Sequence, residues 1–410
     1  MRYSIDGGTM IEVEEGIQLF EQELTPKERV IVVSLEDAAG KVLAENITAP
    51  FSVPHFPKSA MDGYAVYHGD VETATEETPV TLKVMGEIYA GDCKNYKYAQ
   101  GTAIRVMTGG YVPEGYTAVV KQEDTDYGEK EVKIYGSVKE YQNYCKVGED
   151  LQQGMTVLEK GELLKPVHIG LLASLGIDVI KVIEPVRVAI LSTGSELMDI
   201  GNSLEQGKIY NSISHMISAA VKGAGFGVVD NRICPDETEE LKRAISEAVE
   251  MADVVITTGG VSVGKRDLLP EVLDGLGAKV LFHGANIQPG TPTMGSMLKG
   301  TPILSLSGNP YAAIANFELY FWNIVCRQMN CKAWMPRTEK VILASEYPKV
   351  NRLRRLIRAS AKDGQVRIPV GAHSSSVIST LACCNCFIDL EAGRALRIGD
   401  LVTIRYFDSI

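Results

Sequence analysis

Apolar and polar positions fall into two regimes along the chain. From Arg187 onward, short apolar runs alternate with amphipathic stretches of helical period. RVAILST, FGVVDNRI, DVVITT, KVLFHG and PILSLS read as strands, and Ser212–Lys222, Thr238–Met251, Leu268–Leu276 and Tyr311–Val325 as helices. Strands alternating with helices of this length predict a doubly wound, mainly parallel sheet. Right-handed crossovers then bring the strand-to-helix loops to one sheet edge. Ligands of such sheets bind outside that edge.

Before Arg187 the pattern is mixed. Val13, Ile17, Phe20 and Leu24 share one side of a helix expected over Ile11–Leu24. VIVVSLEDAAGKVLAENITA predicts a strand, a short helix and another strand. Pro50, Pro54 and Pro57 interrupt regular structure, and from there to about Tyr144 the chain is glycine-rich and strand-like. A short helix is expected near Val167–Leu175. The expected parts are residues 1–50 with 145–183 as a mixed α/β linker domain, and 51–144 as an inserted β-rich domain. They continue with 184–330 as the α/β domain and, after a linker at Trp334–Arg337, 335–410 as a C-terminal β domain.

Composition narrows the functional classes. A length of 410 residues fits two to four domains, and 45% apolar with 23% charged residues is ordinary for a globular protein. A net charge of −11 argues against a general nucleic-acid or membrane-surface binder, although one loop can still hold a small anion. The amino-terminal stretch shows no secretory pattern and no apolar run approaches a membrane span, so a cytoplasmic location is expected. Eight cysteines over this length are not a disulfide framework. Cys383, Cys384 and Cys386 lead into the strand-like FIDL and read as small buried residues. A zinc site would need a second pair, and Cys326 and Cys331 have the wrong spacing.

Two glycine-punctuated loops stand out, in DVVITTGGVSVGKRD (Asp253–Asp267) and PILSLSGNPYAA (Pro302–Ala313). Gly259, Gly260 and Gly264 allow backbone N–H groups to approach an anion, and the helix N-termini that follow favour negative charge. Ordinary strand-to-helix turns also use glycine; two such loops on one sheet, beside acidic residues, point to an anionic ligand. Glu196, Asp236 and Asp267 each follow a strand and together suit a hard cation such as Mg²⁺. Taken singly, each also suits a helix cap or first turn. Asp62 in SAMDGYA and Thr108 in MTGG lie in small-residue turns with no specific chemistry of their own.

In order and spacing, these segments resemble the molybdopterin molybdenumtransferase family, also represented by the gephyrin E domain. The likeness runs through SAMDGYAV, RVMTGGYVPEG, AVVKQED, GEDL, LSTGSEL, GKIYNSI, DVVITTGGVSVGKRD and SGNP, spanning nearly the whole chain. It implies a multidomain α/β and β fold: a doubly wound molybdopterin-binding α/β domain, an inserted β module and a C-terminal β domain. It also implies insertion of molybdate into adenylylated molybdopterin, yielding molybdenum cofactor and AMP. The family's functional positions fall on Asp62, Thr108, Asp150, Glu196, Asp236 and Asp267, and in the last domain on Arg358 and Ser375. Glu196 and Asp267 are the expected Mg²⁺ ligands. The expected substrate-binding positions also include Gly259, Gly260, Ser262, Gly264, Lys265, Gln288, Thr291, Ser307, Gly308, Asn309 and Pro310. By the same analogy the protein is a homodimer whose cleft borrows the SAMDGYA and MTGG loops of the other subunit. A molybdopterin adenylyltransferase and apo-molybdoenzymes are further expected partners.

The chain departs from the family where charge matters. Gln288 and Thr291 stand where two lysines are usual, Ser307 and Tyr311 flank the GNP turn, and Lys265-Arg266 precede Asp267 where an acid is common. Replacing cations near an oxyanion removes charge-assisted hydrogen bonds, roughly twice as strong as neutral ones. Either Lys265 and Arg266 compensate from the adjacent loop, or the oxyanion and the reaction differ. A molybdopterin carrier or regulator, and a hydrolase of the adenylylated substrate, are the alternatives. Molybdate and tungstate, both tetrahedral dianions, are not distinguished by the sequence.

Overall fold

The parallel sheet is present, with one strand that no alternation announces. The computed structural model describes residues 4–5, 8–27, 29–261, 267–371 and 374–407. They fall into two compact units.

One unit comprises Met1–Glu45, Gly161–Gly170 and Asp178–Ile410. Its α/β part runs β1 (Arg187–Thr193), α1 (Ser212–Gly223), β2 (Gly227–Cys234), α2 (Thr238–Met251), β3 (Val254–Thr258) and α3 (Leu269–Gly275). It continues with β4 (Lys279–His283), β5 (Ile287–Gln288), β6 (Met294–Leu298), β7 (Thr301–Leu306) and α4 (Pro310–Met329). The sheet order is β2-β1-β3-β7-β6-β4. β2, β1, β3 and β7 run parallel, whereas β6 is antiparallel to both neighbours.

β6 was not expected. Its sequence, MGSML, is buried at every position, and a strand covered on both faces shows no period of two. The β6–β7 turn falls at Lys299 and Gly300, with φ of 52° and 83°. Positive φ at both positions marks the mirror-image turn that suits the twist of paired strands. The expected helix in the segment after Val30–Ser34 is also absent. Successive three-residue turns replace it, with Asp37 N–H held by Ser34 and Gly40 at φ 77°. α4 is apolar nearly all round, as a central helix must be. It runs four residues past its expected end and stops where Asn330 takes a left-handed conformation.

The last part forms a ring of β8 (Thr338–Leu343), β9 (Arg354–Lys362), β10 (Gln365–Arg367), β11 (Cys386–Leu390) and β12 (Leu401–Tyr406). The order β9-β10-β8-β12-β11 closes through β9–β11 pairing. A sixth strand joins it from the α/β part: β5 pairs in parallel with β9, Ile287 opposite Arg354 and Gln288 opposite Arg355. Of the cysteine cluster, Cys386 is buried at the head of β11, whereas Cys383 is exposed and Cys384 half-buried in the preceding turn.

The other unit comprises Asn46–Lys160 and Leu171–Ile177. Its five-stranded sheet has the order Ala118–Lys121, Gly63–Val66, Thr102–Val106, Val80–Ile88, Glu131–Ile134. Residues 145–160 fold with it, because Thr156–Leu158 pairs with Ile47–Thr48. No described helix is long and apolar enough to cross a membrane.

Candidate functional site

A cavity of about 1200 Å³ opens at the carboxyl ends of β1, β3 and β7. The sheet edge contributes Thr193, Glu196, Asp236, Gly259, Gly260, Asp267, Ser307, Gly308 and Asn309 to its lining. These come from four separate strand ends, as expected for parallel strands with right-handed crossovers. The end of β5 and the loop after it add Gln288 to Pro292, and the C-terminal part adds Tyr347, Lys349, Arg355, Ser374 and Ser375.

Close approach explains the paired glycines. Gly259 and Gly260 have φ of 87° and 62°. A Cβ on Gly259 would lie 2.2 Å from the Thr193 carbonyl oxygen, and one on Gly260 2.9 Å from the Thr193 hydroxyl. The Gly259 N–H, expected to meet an anion, instead donates to the Leu306 carbonyl at 3.0 Å and ties β3 to the end of β7. Ser262, Gly264, Lys265 and Arg266 lie outside the described residues.

The three acids do different work. Asp236 accepts the Ser195 N–H at 2.7 Å and so holds the Thr193–Glu196 loop, while Lys208 donates to the Ser195 carbonyl at 2.6 Å. Glu196 is exposed and folds back over Gly194, where a Cβ would sit 2.8 Å from both its carboxylate oxygens. Asp267 is half-buried just before α3. Among the described residues no three His, Cys, Asp or Glu side chains gather as a metal cage. Glu196 and Asp267 nevertheless supply hard oxygen donors to one cavity, and Mg²⁺ takes one or two carboxylates beside phosphate oxygens and water. The donor set fits that ion.

The neutral residues are largely built into loops. Thr291 turns its hydroxyl onto the Ile287 carbonyl at 2.8 Å, and its own carbonyl accepts the Ala285 N–H at 2.9 Å. Gly290, at φ 95°, leaves room for the Asn316 amide, which donates to the carbonyls of Pro289, Gly290 and Ala312 at 3.1, 3.3 and 3.0 Å. The Ser307 hydroxyl accepts the Asn309 N–H at 3.3 Å, and Pro310 opens α4 in a position that suits proline. The Ser375 carbonyl accepts the Tyr311 N–H at 3.0 Å, joining the C-terminal part to the start of α4.

Arg358 is not among the cavity-lining residues. It is fully buried, its guanidinium 4.4 Å over the Tyr311 ring and donating to the Val377 carbonyl. Burial lowers the proton affinity of Arg358 and pushes the Tyr311 hydroxyl up to about 12. Tyr311, one of the departures from the family pattern, is thus the platform on which Arg358 rests. Arg355 lines the cavity instead, its Nη1 at 3.4 Å from both Gln288 Oε1 and Asn351 Oδ1. The sequence offered only the basic run Arg352–Arg358, without indicating which arginine faces outward. Lys349, Tyr347 and Ser374 also line the cavity and were not anticipated.

Asp62 and Thr108 lie in the other unit and meet there. Asp62 Oδ1 accepts the Thr108 N–H and hydroxyl, both at 2.7 Å. These two bonds, the backbone one foremost, hold the Asp62 carboxyl below its ordinary range. Asp150, also in that unit, is exposed, with its N–H on the Val53 carbonyl at 3.0 Å.

Family models match three successive stretches. They are the MoeA N-terminal region (domains I and II) over residues 11–176, a probable molybdopterin binding domain over 189–325, and the MoeA C-terminal region (domain IV) over 340–407. A molybdopterin molybdenumtransferase of Staphylococcus epidermidis is 36% identical over 406 residues, covering 98% of this chain and 96% of its own. One from Staphylococcus aureus is 35% identical over 400 residues, covering 96% and 95%. Among solved structures, a molybdopterin biosynthesis MoeA protein from Pyrococcus horikoshii OT3 superposes with a TM-score of 0.85 at 28% identity, covering 97% of this chain and all of that one. A molybdenum cofactor biosynthesis protein from Pyrococcus furiosus, at 20% identity and a TM-score of 0.59, shares the fold.

Proposed function

Because the chain belongs to the MoeA family of molybdopterin molybdenumtransferases, we propose that it inserts molybdate into adenylylated molybdopterin and releases AMP. One observation carries this reading: a single cavity joins two strand-end acids, Glu196 and Asp267, to two cations, Lys349 and Arg355. The reaction brings together a phosphoanhydride, which needs its charge neutralised where it breaks, and an oxyanion, which needs positive donors.

Glu196 and Asp267 would hold Mg²⁺, which when bound supplies charge neutralisation on phosphate oxygens. Asp236 fixes the backbone that carries Glu196. The start of α4, with Ser307 to Asn309 before it, offers the positive end of a 20-residue helix to an anionic group.

The reading extends to a homodimer in which Asp62 and Thr108 complete the active site of the other subunit. Its support is their mutual bonding on a loop where Thr108 is exposed. Mg²⁺ dependence, a cytoplasmic location and hand-over to an apo-molybdoenzyme belong to the same proposal.

The test is AMP release from adenylylated molybdopterin with Mg²⁺, in the presence and absence of molybdate. Molybdate-dependent release with formation of a molybdenum-loaded pterin is the expected result. Release indifferent to molybdate would identify a hydrolase, and tight binding without release a carrier; either result overturns the proposal.

A further inference from the structure

We infer that Cys326, Cys331 and Met335 form a binding site for a soft monovalent cation such as Cu(I), in a second cavity at the far end of α4. The start of α4 borders the strand-end cavity, and its 20 residues put the two cavities roughly 30 Å apart along the helix.

The second cavity has a volume of about 640 Å³, and its lining includes Cys326, Cys331, Met335, Arg327, Lys332 and Glu21. Two thiols and a thioether are thus brought to one space. Both cysteines are free and buried, while Met335 is exposed. Sulfur donors of this kind favour Cu(I) over hard cations. A structural zinc ion takes four ligands, and no histidine is among the described lining residues.

The end of the helix explains why the sulfurs converge. Asn330, at φ 49°, reverses the chain. The Cys331 N–H then donates to the Cys326 carbonyl at 3.1 Å, and the Asn330 N–H to the Arg327 carbonyl at 3.4 Å. In this closure the side chains of the two outermost residues commonly touch. The separation of five, wrong for a zinc pair, is the one that the closure demands. The Cys331 thiol lies near enough to that of Cys326 to oppose its ionisation.

The segment after the helix wraps over the first thiol. The Trp334 N–H donates to the Cys326 sulfur, and the Met335 N–H to the Lys332 carbonyl at 3.1 Å. Trp334 is itself anchored, its rings 4.8 Å from Phe226 and its indole N–H on the Ala224 carbonyl at 3.2 Å. The donors are therefore held in place before an ion arrives.

Charge favours a metal over thiol chemistry. Burial pushes the Cys326 thiol up to about 11, so it stays protonated at neutral pH and is a poor nucleophile. The carboxyl end of a long helix favours a cation. On binding, two S–H bonds release their protons to solvent and two S–Cu bonds form, with copper remaining Cu(I). The one net negative charge left on this unit faces Arg327 and Lys332.

The test titrates Cu(I) anaerobically into the whole protein against a chromophoric Cu(I) chelator. The proteins are the parent, Cys326→Ser, Cys331→Ser, and a Cys93→Ser/Cys383→Ser control that removes exposed thiols elsewhere. The parent should hold one Cu(I) per chain. Each of the first two substitutions should weaken binding at least about tenfold, and the control should match the parent. A parent that takes no Cu(I), a folded Cys326→Ser or Cys331→Ser protein with parental affinity, or a loss in the control instead, overturns the site. Zn²⁺ at equal concentration should not displace Cu(I); displacement would make the site a divalent one completed by Glu21, and the inference wrong.

X-ray absorption of the Cu(I)-loaded parent needs no substitution. With selenomethionine in place of methionine, two sulfur neighbours and one selenium are expected around copper, and a shell lacking either overturns the assignment. None of these readouts involves AMP release, so the site stands or falls separately from the proposed function.

Discussion

Asp62 is held by Thr108 through two hydrogen bonds to one carboxylate oxygen, from the N–H and from the hydroxyl, each 2.7 Å long. Forty-six positions separate the two residues in the chain. The contact stabilises the ionised carboxylate, so the folded-state pKa lies below that of an unfolded aspartate. By linkage the contribution is present above the unfolded value and lost as pH falls through the folded one. A carbon-detected NMR titration should show Asp62 titrating below the ordinary aspartate range. Thr108→Val keeps the N–H and removes the hydroxyl, so it should raise the pKa part of the way. No movement in that variant would mean the hydroxyl contributes nothing.

Asp267→Asn should preserve the fold and raise the Mg²⁺ concentration needed for half-maximal AMP release by more than about tenfold. That is the lower end of what even an outer-shell partner of a metal costs. Glu196→Gln should behave alike, whereas Asp236→Asn keeps an acceptor for the Ser195 N–H and should shift the requirement less. An unchanged Mg²⁺ curve for Asp267→Asn would remove that residue from the metal site.

Mixing Asp62→Ala and Asp267→Ala proteins should restore part of the activity that each has lost. In a shared-site dimer, heterodimers retain one site with neither substitution. Mass-labelled subunits would report exchange independently. Proven exchange without recovered activity, or a monomer by light scattering, would refute the shared site.

Gly290→Ala should destabilise the protein by roughly 2–3 kcal/mol, combining a left-handed backbone with loss of a buried hydrogen bond. The added methyl would fall 1.8 Å from Asn316 Nδ2, which three carbonyl acceptors hold in place. Asn316→Ala should itself cost roughly 1–3 kcal/mol. In that background the cost of Gly290→Ala should shrink, and denaturant unfolding of the four proteins measures the coupling. Strict additivity would mean the two residues do not share a constraint.

Most of the framework could be read locally. The Thr238–Met251 helix has an apolar face that repeats in every turn, and the structure ends it at the same residues. Glu196, Asp236 and Asp267 were legible because the ends of parallel strands share an edge whatever the side chains are, and all three line one cavity. β6 was not legible, since burial on both faces erases the alternation that reveals a strand. Arg355 was hidden for a different reason. Its position depends on a pairing between residues 67 apart, and no local pattern records which strand accepts which neighbour. The family likeness pointed to Arg358, whose guanidinium instead lies buried against Tyr311.

The short β5–β9 pairing has a mechanical consequence. β5 leaves the α/β part for two residues, completes an edge of the C-terminal ring, and returns through the loop that lines the cavity. An occupant touching both Asp267 and Arg355 would therefore act as a further clasp on a seam already held by the β5–β9 pairing, the Tyr311–Ser375 hydrogen bond and the packing of Arg358 on Tyr311. Whatever affinity it gains from spanning the gap must reappear as resistance of the ring to being pulled from the sheet, since the two are one linked equilibrium. An occupant of the cavity would in this sense be a rivet through two plates that already overlap.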